Sequence, residues 1–436
     1  MGFPVMRYVS ECVAFMRFHI LHRRSRKVIE KWQTDRLRRL LVHAEKNVPL
    51  YKELMATQNI RATDISTLEN LSFLPVINKK TFIGRQVVEY TDGSRHLSGQ
   101  WVTTSGSSGV PFTALRRTEV QTLWYGYSLN SRFLTWEMPW RLNADWARVA
   151  HIRVRPRERK NHLWIPLGAF LNNPRSLLQQ IVDFKPDVVE SFASVLYVLA
   201  REVDRYGIVW KPRYVVSGGE QLSPAGRLFI ENTLGCEVYN RYGLEELGTV
   251  GVECMQHDGL HINSESLIVE IVDESGASVP ETNHGRVIIT DLFNTSMPFV
   301  RYDTGDRGHM SWARCACGLR APRLWIEGRY STFLQLGDQT FHHFYFSYTL
   351  KPFKNQILQY QVVKRAENDL LIRIIPGSAF GDETTVAIQK EIANLVKETA
   401  SVRVECVAEI KRMPRGKSQV IVDETAGTQK PDILKQ

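Results

Sequence analysis

The run Trp101-Val-Thr-Thr-Ser-Gly-Ser-Ser-Gly-Val-Pro111 concentrates hydroxyls and glycines between two more apolar segments. Glycine lets a backbone approach an anion closely. Thr103, Thr104, Ser105, Ser107 and Ser108, with Gly106 and Gly109 among them, can donate to phosphate oxygens. The run is not a Walker loop, because Gly-Lys-Ser/Thr is absent and no lysine follows the glycines. Two readings fit it: a polyphosphate cradle and a flexible connection.

Five later segments bear on that choice: Ser217-Gly-Gly-Glu220, Tyr239-Asn-Arg-Tyr-Gly-Leu-Glu-Glu246, Arg301-Tyr-Asp-Thr-Gly-Asp306, Gly328-Arg329 and Pro414-Arg-Gly-Lys417. Taken in order with the Thr/Ser/Gly run, they resemble the ordered motifs of adenylate-forming enzymes, which activate a carboxylic acid as an acyl-AMP. Within that superfamily, Leu40-Leu-Val-His-Ala-Glu-Lys-Asn-Val-Pro-Leu-Tyr51 and Glu253-Cys-Met-Gln-His-Asp-Gly-Leu-His261 resemble the phenylacetate-CoA ligase and CapK-like branch. The likeness runs along nearly the whole chain and is densest from residue 100 to 330.

The resemblance implies a role for each motif residue. Adenylation drives a carboxylate against the α-phosphate of ATP, so like charges must be neutralised by a metal, backbone amides and a lysine. Glu246 is expected to hold Mg²⁺, a hard cation that prefers carboxylate oxygen. Tyr242 lies along the adenine, Gly218 and Gly219 leave its face uncovered, and Glu220 and Gly243 belong to the same nucleotide site. Asp306 accepts from the ribose hydroxyls. Thr104 and Lys417 act at the reacting phosphate, with Arg329 at the ribose or phosphate edge. ATP/AMP, Mg²⁺ and CoA are the expected cofactors, and the substrate is a small carboxylic acid, aryl or aryl-acetic by analogy. The chain is thus expected to be an acid-thiol ligase. A carrier-protein thiol or an amine is the alternative acceptor, and a lapsed scaffold of the same fold the alternative function. The last is motivated by Glu245, where relatives usually carry Ser or Thr, and by Tyr330-Ser-Thr332 and Gly337-Asp-Gln-Thr-Phe341, which follow the hinge pattern only loosely.

Cys315-Ala-Cys317-Gly318 is a tight thiol pair on a turn, and Cys254 with His257 or His261 precedes it. A similar set occurs in some members of the branch. There it implies structural Zn²⁺ on Cys254, His261, Cys315 and Cys317, a closed tetrahedral set with no position left for chemistry. Cys12, Cys236 and Cys406 read as core residues.

The elements that must position these residues follow from periodicity. Ser176–Phe184 and Ala193–Tyr206 read as helices, with Asp187–Ser191 and Arg213–Val216 as strands between and after them. Such alternation indicates an α/β sheet covered by helices. From about Leu260 the pattern turns to β, with a turn at Glu274-Ser275-Gly276. After Arg329 come strands near 370–375 and 402–407 and a helix over 382–400. The expected architecture is α/β. A large N-terminal adenylation domain, residues 1–328, includes a β-rich lobe at about 250–328, and a small mobile α+β domain, 329–436, carries Lys417. Aromatics in Trp124-Tyr-Gly-Tyr127 are either core or the wall of an acyl pocket.

Composition agrees with a globular protein of 436 residues, 43% hydrophobic and 23% charged. The formal charge is +10, but residues 17–46 hold ten Lys/Arg against Glu30, Asp35 and Glu45, so seven of the ten net charges fall there. Leu37, Leu40, Leu41 and Ala44 recur at helical spacing in that stretch, so its charges decorate the outer face of an amphipathic helix or dock on an acidic surface. No nucleic-acid partner is expected. The apolar stretches Leu177–Val189 and Ser194–Leu199 are too short and interrupted to span a bilayer. Met6 stands where a myristoylation motif wants Ser or Thr, and the N-terminus lacks a signal-peptide cleavage site. A cytoplasmic setting with reduced thiols is expected, and a homodimer by base rate.

Overall fold

The computed structural model describes residues 20–93, 99–103, 113–117, 148–153, 161–219, 222, 224–328, 333–337, 339–342, 345–346, 349–353, 356–377, 379–397, 399–408, 410 and 421–425. Two compact units are present, residues 1–102 with 114–329, and 103–113 with 330–436.

The first unit opens with helices α1 (Arg26–Asn47) and α2 (Pro49–Thr57). The stripe foreseen on α1 is buried, and Ile29 and Gln33 extend it. Gln33 is polar, yet its Nε2 donates to the carbonyls of Ser264 and Leu267, which satisfies it in the core. Tyr51, in α2, donates to Pro298 O at 2.7 Å and accepts from Val300 N at 3.0 Å, fixing the chain just before the Asp306 motif. Two basic side chains of α1 have partners: Arg26 pairs with Glu30 and Glu281 at the surface, and Arg36 lies over the rings of Trp32 and Phe293.

Strands β1 (Gly99–Thr103) and β2 (Thr113–Arg117) pair on either side of residues 104–112. Next come β3 (Val149–Arg153), β4 (His162–Pro166), helix α3 (Pro174–Phe184), β5 (Val188–Ser191), α4 (Ala193–Arg205), β6 (Tyr214–Gly218), α5 (Pro224–Leu234) and β7 (Glu237–Leu244). The segments read as helices and strands from periodicity are thus present with boundaries shifted by a few residues. Asn173 caps α3 and Pro174 begins it; both fit a helix start, since proline lacks the N–H that the first turn leaves unbonded.

The β-rich region supplies β8 (Gly248–Glu253), β9 (Leu260–Ile262), β10 (Leu267–Val272), β11 (Gly285–Asp291), β12 (Tyr302–Ser311) and β13 (Arg323–Gly328). It is continuous with the parallel strands. One eleven-stranded sheet runs β10-β11-β12-β13-β9-β8-β7-β6-β5-β3-β4, parallel from β7 through β6, β5 and β3 to β4 and antiparallel from β7 to β10. The β stretch that begins at Leu260 supplies two strands that stand apart in the sheet: β9 lies between β8 and β13, and β10 lies at the far edge beside β11.

In the second unit, β14 (Phe333–Leu336) pairs with β15 (Gln339–His342). A four-stranded sheet runs β18-β17-β16-β19, from β16 (Ile357–Ala366), β17 (Asp369–Pro376), β18 (Ser401–Cys406) and β19 (Ile421–Asp423). Helix α6 (Asp382–Val396) buries Ile388, Ile392 and Val396 with Val362, Ile372 and Ile374 of that sheet, an i, i+4, i+8 stripe on a β-branched surface. The unit has a hydrophobic core of its own. Cys406, expected in a core, is exposed, and Cys236 is half-buried; each ends or follows an element where the chain leaves the interior.

Candidate active site

Two motifs meet through hydrogen bonds that cross. Tyr242 stands in β7 and Glu246 on the turn after it, whereas Tyr302 and Asp306 both belong to β12. The hydroxyl of Tyr242 donates to Asp306 Oδ2 at 2.7 Å, and that of Tyr302 donates to Glu246 Oε1 at 2.7 Å. Each motif's tyrosine thus orients the other's carboxylate, although three strands stand between β7 and β12 in the sheet. The carboxylates are 2% (Glu246) and 6% (Asp306) exposed. Glu246 Oε2 takes no hydrogen bond, and Glu246 makes no ion pair, among the described residues.

Backbone geometry explains why these side chains converge. Asp303 Oδ1 accepts from Gly305 N, and Thr304 Oγ1 accepts from Asp306 N while donating to Val287 O, so the Tyr-Asp-Thr-Gly-Asp segment is held by its own side chains. Ile77 clamps its start, donating to Arg301 O and accepting from Asp303 N. Arg301 is buried at φ 50° and spends its guanidinium on Glu270 and on the carbonyls of Ser72, Leu74 and Gly276. Its role is architectural, and residue types alone did not announce it. The partnership of Tyr302 with Glu246 was also unassigned in the sequence, though Tyr302 lies inside the recognised motif.

Gly243 sits where β7 bulges against β8, and a Cβ there would lie 2.6 Å from Gly248 O. Gly219, just past β6, has φ 91°, and its Cβ would meet the Phe192 ring at 2.9 Å. Gly218 ends β6 and Thr103 ends β1. Glu245 is exposed. Thr104, Ser105, Gly106, Ser107, Ser108, Gly109, Glu220, Arg329 and Lys417, and the Trp124–Tyr127 aromatics, lie outside the described residues.

A second cluster forms where β8, β9 and the turn before β13 meet. The sulfurs of Cys254, Cys315 and Cys317 and a ring nitrogen of His261 all lie within 4.8 Å of one another. Cys254 Sγ is 3.7 Å from Cys315 Sγ, and Cys317 Sγ is 3.3 Å from His261 Nε2. Tetrahedral zinc with Zn–S bonds of ~2.3 Å separates its sulfurs by about 3.8 Å. The donor set fits. His257 stands outside the cluster, its Nδ1 against Glu253 and Arg227. Hydrogen bonding from Cys254 holds the Cys317 thiol far below its ordinary range, and the same contact pushes Cys254 up.

The architecture defines the fold: it is that of a solved acyl-CoA ligase. It superposes on 2-hydroxyisobutyryl-CoA ligase in complex with 2-HIB-AMP and CoA, in the thioesterification state, with a TM-score of 0.66 at 19% identity, covering 93% of this chain and 92% of that one. The postadenylation state of that ligase in complex with R3-HIB-AMP gives a TM-score of 0.62 at 18% identity, over 93% and 91% of the two chains. In sequence the chain is similar to curated phenylacetate-coenzyme A ligases. One from Thermus thermophilus is 25% identical over 369 residues, 79% of this chain and 80% of the relative. One from Pseudomonas putida is 28% identical over 316 residues, 64% and 66%. No family-level sequence profile matches the chain. Fold and sequence agree with the motifs: the chain resembles the adenylate-forming enzymes on their phenylacetate-CoA ligase side.

Among the described residues, no helix is long and apolar enough to cross a membrane.

Proposed function

We propose that this chain uses ATP to activate a carboxylic acid as an acyl-AMP, with release of pyrophosphate, and then transfers the acyl group to the thiol of CoA. The observation that carries this reading is the crossed pairing of Tyr242 with Asp306 and Tyr302 with Glu246, which brings two distant motifs into one site. Glu246 is a buried carboxylate whose described hydrogen-bond donor is a neutral hydroxyl. A carboxylate so placed lacks positive charge, and Mg²⁺ supplies it when bound, drawing off phosphate charge during attack. Asp306, oriented by Tyr242, accepts from the ribose hydroxyls, and the Tyr242 ring lies along the adenine over Gly218 and Gly219.

Thr103, Thr104 and the residues to Gly109 cradle the phosphates, with Glu220, Gly243 and Arg329 around the nucleotide. Lys417, carried by a domain spanning 329–436, bridges the attacking carboxylate and the α-phosphate. Rotation of that domain near Arg329 then withdraws the lysine and admits the thiol. The relatives named as phenylacetate-CoA ligases support an aryl or aryl-acetic acid and CoA as acceptor. Cys254, His261, Cys315 and Cys317 hold a structural zinc, and their reduced thiols suit a cytoplasmic setting.

The test is acid-dependent pyrophosphate exchange with ATP and Mg²⁺ over aryl, aryl-acetic and fatty acids. Exchange with at least one acid, lost in Asp306→Ala and in Lys417→Ala, supports adenylation, and adding CoA then reads the acceptor. Absence of ATP binding by the folded protein overturns the reading. It would favour a lapsed scaffold, whose motivation is the exposed acid Glu245 beside Glu246.

A further inference from the structure

At the carboxyl ends of the parallel strands a cluster of charged side chains lies mostly out of water. Arg153 ends β3, Glu190 is next to last in β5, Gly218 ends β6 and Arg241 lies directly across from Gly218 on β7. In open α/β sheets this end of the strands is where ligands bind. Glu190 Oε1 accepts from Arg153 at 3.0 Å and from Arg241 at 2.5 Å, so two guanidiniums share one oxygen atom. The other oxygen, Oε2, stands 3.5 Å from His151 Nδ1, whose ring stacks on Trp164 and whose Nε2 meets His162 at 2.8 Å. Burial alone would raise the Glu190 carboxyl; Arg241, His151 and Arg153 together hold it well below its ordinary range.

The cations outnumber what they hold. A guanidinium carries five N–H donors. Among the described residues, Arg241 donates to Glu190, and Arg153 donates to Glu190 and to Gly218 O at 3.3 Å and lies 4.6 Å over the Phe192 ring. Their side chains are only 15% and 17% exposed. Glu245, exposed on the turn after β7, adds only longer-range attraction toward Arg153. Two desolvated guanidiniums on one carboxylate leave donors and charge for a second anion. Gly218 adds no side chain beside Arg241, where a Cβ would lie 3.1 Å from Arg241 O and 3.4 Å from its Nε, so the guanidinium is not covered from that residue.

We propose that Arg153 and Arg241 form an anion subsite for the acid substrate, and that the preferred acid is aromatic and carries a second carboxylate. One carboxylate of such a molecule is activated; the other sits on the two guanidiniums, with the Phe192 and Trp164 rings nearby. This rests on the acid-activating function proposed above and narrows its substrate class. The phosphates of ATP are the other source of anionic oxygen for the same pair.

Two measurements keep the proposal and its premise apart. The first is direct binding, by calorimetry, of benzoate, phenylacetate, terephthalate and 4-carboxyphenylacetate to the whole protein with and without ATP. This needs no turnover. The diacids are expected to bind about tenfold or more tightly than the monoacids, the worth of a charge-assisted hydrogen bond, and Arg241→Met and Arg153→Met are expected to erase that difference. Glu190→Gln keeps both guanidiniums and an acceptor oxygen but removes the negative charge they share, so it is expected to retain or increase the preference; it guards against variants that merely misfold. The second is pyrophosphate exchange, in which the arginine variants are expected to raise KM for the diacid and leave KM for ATP within about twofold. Equal binding of mono- and diacids, or a preference that survives both arginine variants, overturns the subsite. A rise in KM for ATP alone assigns the pair to phosphate and overturns it equally. Diacid binding without exchange leaves the subsite standing and counts against acid activation.

Discussion

Tyr302 gives Glu246 its described hydrogen bond, and the 2.7 Å contact is buried. Tyr302→Phe keeps the ring and deletes one oxygen, so the fold is expected to survive with a loss of about 1–2 kcal/mol in stability. A carboxylate freed to rotate holds a cation less well. The expected outcome is a severalfold higher Mg²⁺ requirement in pyrophosphate exchange with an unchanged KM for the acid, read from a magnesium titration at saturating ATP. An unchanged magnesium curve would show that Tyr302 only fills space. Asp291 offers a different test, of stability alone. It ends β11, fully buried, with Oδ1 accepting from the N–H groups of Phe293 and Asn294. Burial pushes its carboxyl up to about 6. The folded state therefore binds this proton more tightly than the unfolded chain, and the associated stability is present at acid pH and lost as pH rises through about 6. Asp291→Asn is neutral at every pH and keeps the Oδ1 acceptor. It is expected to be more stable than the parent at pH 8, by on the order of 2 kcal/mol, and no more stable at pH 4, in paired urea titrations. A gain that is the same at both pH values would assign it to packing.

The elements show what local pattern can and cannot reveal. Gly243 lies at the bulge of β7 against β8, between Tyr242 and Glu246, where a Cβ would press on a backbone oxygen that cannot swing aside. Gly243→Ala is expected to destabilise by about 1–3 kcal/mol, read by denaturant unfolding, and to lower exchange activity further than stability alone explains, because the bulge sets the angle between the two residues. Activity that follows the folded fraction would separate the bulge from the site. Helices α3 and α4 and strands β5 and β6 were legible because period 3.6 and short apolar runs are local signals. The two carboxylates were legible through ordered motifs. The place of β9 was not: it pairs with β8 about ten positions before it, but on its other side with β13, about sixty positions away, a partner that leaves no local trace. The Arg153, Glu190 and Arg241 cluster escaped because its residues lie on three different strands, Arg153 at the end of β3, Glu190 next to last in β5 and Arg241 within β7, and only the parallel register sets them side by side. Cys406 was misread because a cysteine in a strand-like run is usually inside, while β18 is an edge strand with an outward face.

At the scale of the molecule, the cysteine and histidine cluster joins β9 to the end of β8 and to the connection between β12 and β13. Cys254 follows β8, His261 is the middle residue of β9, and Cys315 and Cys317 lie between β12 and β13. β9 has three residues and stands between β8 and β13, so its backbone ladder is short in the part of the sheet that separates β7 from β12. A bound metal there would add folding free energy that the unfolded chain lacks, because its four ligands come from segments up to about sixty residues apart. The second unit has a separate core, in which Leu334, Phe346, Ile372 and Ile388 are buried, and contains none of the four ligands. Metal removal should therefore act on one unit. The purified protein is expected to contain one zinc per chain by elemental analysis. Cys315→Ala is expected to abolish that content and to lower the unfolding temperature of the first unit in calorimetry by several degrees or more. The transition of the second unit should stay in place, and zinc added after chelation should restore the first. A protein that binds no zinc after refolding in its presence, or whose unfolding is indifferent to chelator and to Cys315→Ala alike, would make the cluster a set of buried thiols packed around a histidine.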